Sequence, residues 1–169
     1  MADRVREDGE VRLDDLPLKY RLLLRAYRWR RVADVSAATL ARPLARARVA
    51  LVSSAGLVPA PAPGFDLDRR GGDPSFRVIA DDAPDESLAM WHRSDAFDRG
   101  PSARDLNVVF PRAALHRLVN EGVIGETAPR HLSFMGSITA PGALIRHEAP
   151  RAADVLAADG VDVALLVPV

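Results

Sequence analysis

The sequence predicts an α/β fold: a mostly parallel sheet with flanking helices, incomplete at its C-terminus. Three observations predict it. Arg48 to Ser53 reads RVALVS, a short β-branched apolar run of the kind buried on both faces of a parallel sheet. Pro111 to Gly122 carries a helical stripe, and Pro150 to Gly160 carries another that runs directly into the apolar stretch Val161 to Val167. Strands alternating with helices imply right-handed crossovers onto a largely parallel sheet.

The elements follow in order. Asp14 and Asp15 can cap a first helix started by Pro17, with Leu16, Tyr20, Leu23, Leu24 and Tyr27 at helical spacing to about Arg31. Lys19, Arg21, Arg25, Arg28, Arg30 and Arg31 lie on its other faces. They read as a solvated face or as a basic surface for nucleic acid or membrane. After the RVALVS strand, Ser54, Ala55 and Gly56 turn the chain. Pro59, Pro61 and Pro63 then remove backbone donors, which predicts a surface loop to Gly72. Phe76 to Ala80 fits a short strand, and Asp81 to Arg104 reads as loop with one helical turn.

Leu106 to Phe110 is a second apolar run, and Pro111 suits the first position of a helix with Ala114, Leu115, Leu118 and Val119 on one stripe. Gly122 ends that helix in the left-handed position and places Val123 against Leu118. In RHLSFMG, His131 and Ser133 alternate along an extended segment and so share a face. Gly160 stops the last helix, and Val161 to Val167 is expected as an interior strand. The domain division is a helical segment over 1–47 and an α/β domain over 48–169.

Composition excludes several classes. The 23 basic and 23 acidic residues cancel, so no overall field draws the chain to nucleic acid, an anionic membrane or an acidic substrate. With no cysteine there is no disulfide, thiolate metal site or thiol nucleophile in the sequence. The charged N-terminus lacks an apolar signal core and no apolar stretch is long enough to span a bilayer, which makes the cytoplasm the expected location.

Candidate site residues fall into three groups. Ser53 and Ser54 lie past the carboxyl end of a strand, where open α/β sheets place ligands, although no glycine-rich phosphate motif accompanies them. Asp73, Ser75 and Arg77 put a carboxylate, a hydroxyl and a guanidinium on one turn. That set can orient a small zwitterion, or Asp73 can simply bond its own backbone. His131 can act as acid or base beside Ser133, or serve as a satisfied structural histidine. His92, Asp95 and Asp98 could ligate a metal with His131 or His147 nearby, but no recognised metal motif is met and no metal is expected.

Five pieces, GDPSFRVI (Gly72 to Ile79), DLNVVFP (Asp105 to Pro111), LVNEGVIG (Leu118 to Gly125), RHLSFMG (Arg130 to Gly136) and DGVDVALLVPV (Asp159 to Val169), occur in an order and spacing that resemble one family. It is the selenoprotein B family of glycine, sarcosine, betaine and D-proline reductases, and the resemblance runs from about Val49 to Val169. It implies reductive cleavage of a C–N bond: a selenolate attacks the α-carbon of an amino acid or betaine and expels the amine. A partner subunit carrying a carbonyl group, pyruvoyl in the D-proline enzyme, holds the substrate.

In family members a selenocysteine or cysteine directly follows the strand corresponding to Val161 to Val169. The resemblance therefore places the nucleophile immediately after Val169, and selenocysteine, encoded by UGA, is expected in a longer protein. The codon after Val169 tests that expectation. On this reading Asp73, Ser75, Arg77, His131 and Ser133 line the site, with Ser53 and Ser54 also binding substrate. The alternative is a non-catalytic paralogue that lost the redox segment and binds or scaffolds a partner through a sheet edge and the first helix. The His92 to Gly100 stretch and the Ala/Pro-rich loop from Ala60 depart from the family pattern.

Overall fold

The computed structural model describes residues 13–26, 38–94 and 99–169, and the chain divides into two compact units, Met1–Ala38 and Thr39–Val169. In the first, a 3-10 turn at Leu13–Asp15 precedes helix α1 (Leu18–Ala26). Asp14 draws both Arg21 and Arg25 of α1, at 3.8 and 3.6 Å. The expected continuation through Tyr27, Arg28, Arg30 and Arg31 lies outside the described residues.

The second unit is built on β1 (Arg48–Ser53), whose Val49, Ala50, Leu51 and Ser53 are buried. On one side β1 pairs in parallel with β7 (Val163–Val167), in register from Val49 opposite Val163 to Ser53 opposite Val167. On the other side it pairs in parallel with β5 (Glu126–Thr127) and β6 (Arg130–Phe134). These are two pieces of one run interrupted at Pro129, which has no N–H to donate. β3 (Phe76–Ala80) joins β6 antiparallel, from Phe76 opposite Phe134 to Ala80 opposite Arg130. The sheet is thus mixed but mostly parallel, and the α/β class holds.

Two helices cover opposite faces. α3 (Arg112–Asn120) carries Leu115 into a core with Val49, Leu51, Ile79, Val109, Phe110 and Ile124. Pro111 stands one position earlier than expected, as the N-cap. Gly122 takes φ 70° and the Val123 amide donates to the Leu118 carbonyl at 2.9 Å, the expected left-handed cap. On the other face, α4 (Ala149–Ala158) follows a π-helical turn at Leu144–Glu148. Ala152 of α4 is buried, and Gly160 follows the helix at φ 65°.

Three differences from the sequence reading have physical causes. The segment Asp81 to Arg104 holds more than one turn: β4 (Leu88–Met90) pairs antiparallel with β2 (Leu57–Pro59), and α2 (Arg99–Arg104) follows. The Leu106 to Phe110 run enters as a 3-10 turn capped by Asp105, whose side chain accepts the Asn107 amide. β7 is an edge strand among the described residues rather than an interior one, with Leu165 43% and Leu166 68% exposed. No helix among the described residues is long and apolar enough to cross a membrane.

Candidate functional site

Strands β1, β6 and β7 are mutually parallel, so their carboxyl ends share one edge of the sheet. From β1 the chain passes through β2, β3, β4 and α2 before it reaches α3 on one face; from β6 it proceeds to α4 on the other. The carboxyl ends of parallel strands are the usual ligand position in open α/β sheets. Here an apolar groove of about 570 Å³ runs between the sheet and α4. Val52, Leu132, Phe134 and Leu166 form its floor, Ala152 and Leu156 its helical wall, and Ser54 and Gly136 part of its lining near the strand ends.

Ser53 is buried below this edge, where its hydroxyl donates to the Val109 carbonyl at 2.7 Å and accepts the Ala55 amide at 3.2 Å. Ser54 turns outward. Its amide donates to the Val167 carbonyl at 3.1 Å, and its hydroxyl accepts the Val169 amide at 2.9 Å. The side chain of Ser54 therefore holds the residues after β7 against the end of β1.

His131 and Ser133 do share a face, but it is the face covered by α3, and both are fully buried. His131 Nδ1 accepts the Leu51 amide at 3.0 Å, so the ring proton of the neutral imidazole sits on Nε2, which meets Asp81 Oδ1 at 2.8 Å. The Phe110 ring packs edge-on against the imidazole, with 5.6 Å between centroids. Burial holds the His131 pKa below its ordinary value despite the neighbouring Asp81 carboxylate. Ser133 accepts the Leu57 amide at 2.7 Å. Both side chains thus take up backbone donors that would otherwise be buried without partners.

Asp81 was not legible as a site residue. It also accepts from His116 Nε2 at 2.9 Å and from Thr127 Oγ1 at 2.7 Å, joining β3, β5, β6 and α3 at one carboxylate. Burial pushes its carboxyl up, but the hydrogen bonds from His131, Thr127 and His116 outweigh that and leave it below the usual carboxylate range.

Asp73, Ser75 and Arg77 are brought together around the start of β3, where Arg77 stands opposite Ser133 of β6. Asp73 accepts the Asp66 amide at 3.0 Å and the Ser75 amide and hydroxyl at 3.0 and 2.7 Å. Against the cost of burial, these bonds and the Arg77 charge lower its pKa. Arg77 donates to Ser75 Oγ and to the Pro63 and Gly64 carbonyls, with its guanidinium 4.2 Å from the centre of the Phe65 ring. The cluster fastens the proline-rich loop, whose Phe65 packs with Val58 and Met135 in a small separate core.

Among the described residues no group of three His, Cys, Asp or Glu side chains is arranged to hold a metal ion. Asp95 and Asp98 lie outside the described residues.

Among curated proteins, D-proline reductase subunit gamma of Acetoanaerobium sticklandii is similar to this chain, with 35% identity over 118 residues, 70% of this chain and 47% of the relative. The chain spans about half the length of that relative. No family model matches the chain, and no solved structure matches it.

Proposed function

We propose that this chain works as part of a multi-subunit reductase that cleaves a C–N bond of D-proline or of a related small amino acid or betaine. The observation that carries the reading is the 35% identity over 118 residues to a D-proline reductase subunit. The position of the groove, at the carboxyl ends of three parallel strands, supports it.

The reaction consumes two electrons and two protons from a thiol-type donor. The C–N bond breaks, the carbon gains hydrogen, and the nitrogen leaves with its electron pair and takes up a proton. A selenocysteine or cysteine nucleophile and a carbonyl group on a partner subunit are the groups that supply this chemistry when present. The sequence contains no cysteine or selenocysteine, so that nucleophile is not among these 169 residues.

What the chain itself contributes is binding and orientation. Ser54 lines the crevice and holds the residues after β7 in place. Asp73, Ser75 and Arg77 shape the proline-rich loop, and His131, Ser133 and Ser53 hold the strands that form the floor.

A second reading, a non-catalytic binding or scaffolding subunit, is favoured by the exposed Leu165 and Leu166 on edge strand β7. One experiment separates the two. The tagged chain is isolated anaerobically, with whatever assembles on it, from the cells that encode it. The assembly then receives D-proline, glycine, sarcosine or betaine together with a dithiol. Substrate-dependent release of the reduced product, followed by mass spectrometry, is expected. An intact assembly that turns over none of the four excludes the reductase reading and favours the scaffold.

A further inference from the structure

The sheet face that carries α4 is covered unevenly. Parallel pairing sets Leu132 of β6, Val52 of β1 and Leu166 of β7 in one row across that face. Exposure rises along the row: Leu132 is fully buried, Val52 half-buried and Leu166 68% exposed. Adjacent strands lie about 4.8 Å apart, so the four strands from β3 to β7 span about 14 Å, and a helix about 10 Å across covers roughly two of them. α4 packs on β6 and reaches β3, where the Arg151 guanidinium lies 5.8 Å from the centre of the Phe76 ring. Among the described residues β7 is left largely uncovered on this face.

The groove beside α4 has the lining of a protein core. Ala152, Ala153 and Leu156 form its wall, the Leu132, Val52 and Leu166 row its floor, and no charged side chain lines it. A small ligand in a groove open along β7 leaves Leu166 and its own outer side in water, whereas a helix laid beside α4 buries Leu166 under an apolar stripe. The relative supplies a source for such a helix. Its 118 matched residues are 47% of its length, so more than half of that subunit lies outside the stretch this chain matches.

We propose that the groove seats an amphipathic helix from the part of the reductase subunit outside this match, laid beside α4 over β1 and β7. Its uncharged apolar stripe faces Val52, Ala153 and Leu166. The source of the helix rests on the reductase reading; its form rests on the sheet. Seated there, it closes the groove along its length and leaves the strand ends, with Ser54 and Gly136, as the opening.

The test is photo-cross-linking in the cells that encode the chain, with Leu166→benzoylphenylalanine and, for comparison, the same replacement at Val123, which is 44% exposed just after α3. Irradiation of the anaerobically isolated assembly is expected to join position 166, and not 123, to a peptide outside these 169 residues. That peptide should align with the unmatched part of the relative and carry apolar residues at helical spacing. Synthesised, it is expected to bind the chain and gain helicity, with Leu166→Lys and Ala153→Glu each weakening it by about tenfold or more. An adduct to a second copy of this chain, to a lipid or small molecule alone, or no adduct at 166 overturns the inference; so does a peptide that binds both variants as tightly as the parent. Ala153→benzoylphenylalanine repeats the cross-link from the helical wall, so a variant at 166 that does not fold leaves the inference open to refutation. Turnover by the same isolate decides the reductase reading separately. Turnover without the adduct sinks the inference and leaves that reading standing, while the adduct without turnover removes the reading and, with it, the source assigned to the helix.

Discussion

Replacing His131 with leucine distinguishes a structural histidine from a catalytic one. Leucine fills a similar space, so little cavity is left. What is lost is the acceptor for the buried Leu51 amide and the donor to Asp81. A buried donor left without a partner costs about 1–3 kcal/mol, and Asp81, still bonded to Thr127 and His116, loses about 1 kcal/mol more. The sum, about 3 kcal/mol, lowers the melting temperature of a unit this size by about 10 °C.

The pH dependence has a definite sign. The folded-state pKa of His131 lies below its ordinary value of 6.5, so the unfolded chain binds the proton more readily. The stability is present above 6.5 and is lost as pH falls from there toward the depressed folded value. His92 acts in the same direction, and Asp81 joins at lower pH, below its ordinary 3.8. His131→Leu should therefore remove up to about 1.4 kcal/mol per pH unit of slope below 6.5, leaving the His92 part. Urea unfolding followed by circular dichroism at several pH values measures both effects. A variant melting within about 2 °C of the parent, with the slope unchanged, would refute the assignment.

The other expectations are local. Asp73→Ala removes three accepted hydrogen bonds, two of them from the amides of Asp66 and Ser75. It should cost about 2–3 kcal/mol in urea unfolding, with faster hydrogen exchange at those amides; unchanged exchange counts against it. Gly56→Ala should destabilise the chain by about 3 kcal/mol or more, because its Cβ meets the Trp91 carbonyl. Gly122→Ala, with nothing within 4 Å, should show only the left-handed backbone cost of about 1–2 kcal/mol. Comparable losses at the two glycines would remove the steric argument. Leu166→Lys should leave unfolding within about 0.5 kcal/mol while slowing aggregation, since it puts a charge on an exposed edge. A faster rise in light scattering than for the parent would contradict it.

Features whose causes lie within a few residues were the ones legible in the sequence. RVALVS is β1 from its first residue to its last, and RHLSF is β6. The Gly122 cap formed as expected because glycine alone takes that φ without strain. β2 and β4, three residues each, are too short to show a period, and Pro59 within β2 argued for loop. The edge position of β7 was not legible because an apolar run gives no sign of which neighbours it pairs with.

The site divided along the same line. That His131 and Ser133 share a face follows from alternation alone, but which face closes depends on where α3 packs. Asp81 sits in a polar run 50 residues before His131, and only the antiparallel register of β3 on β6, with Ile79 opposite His131, delivers it to the imidazole.

That division bears on where ligand chemistry can occur in this fold. A polar side chain inside a sheet must satisfy backbone groups or lose stability, and Ser53, His131 and Ser133 are all committed in this way. At the carboxyl edge the demand is met differently: Ser54 faces outward, and its hydroxyl accepts the Val169 amide beyond the end of β7. Gly56 and Gly136 let Trp91 and His92 lie against that edge, at an approach no Cβ would allow. The glycines are therefore as much a part of the crevice as the side chains they admit. A methyl group at Gly56 would meet the Trp91 carbonyl, and one at Gly136 the Ser54 carbonyl and the His92 ring.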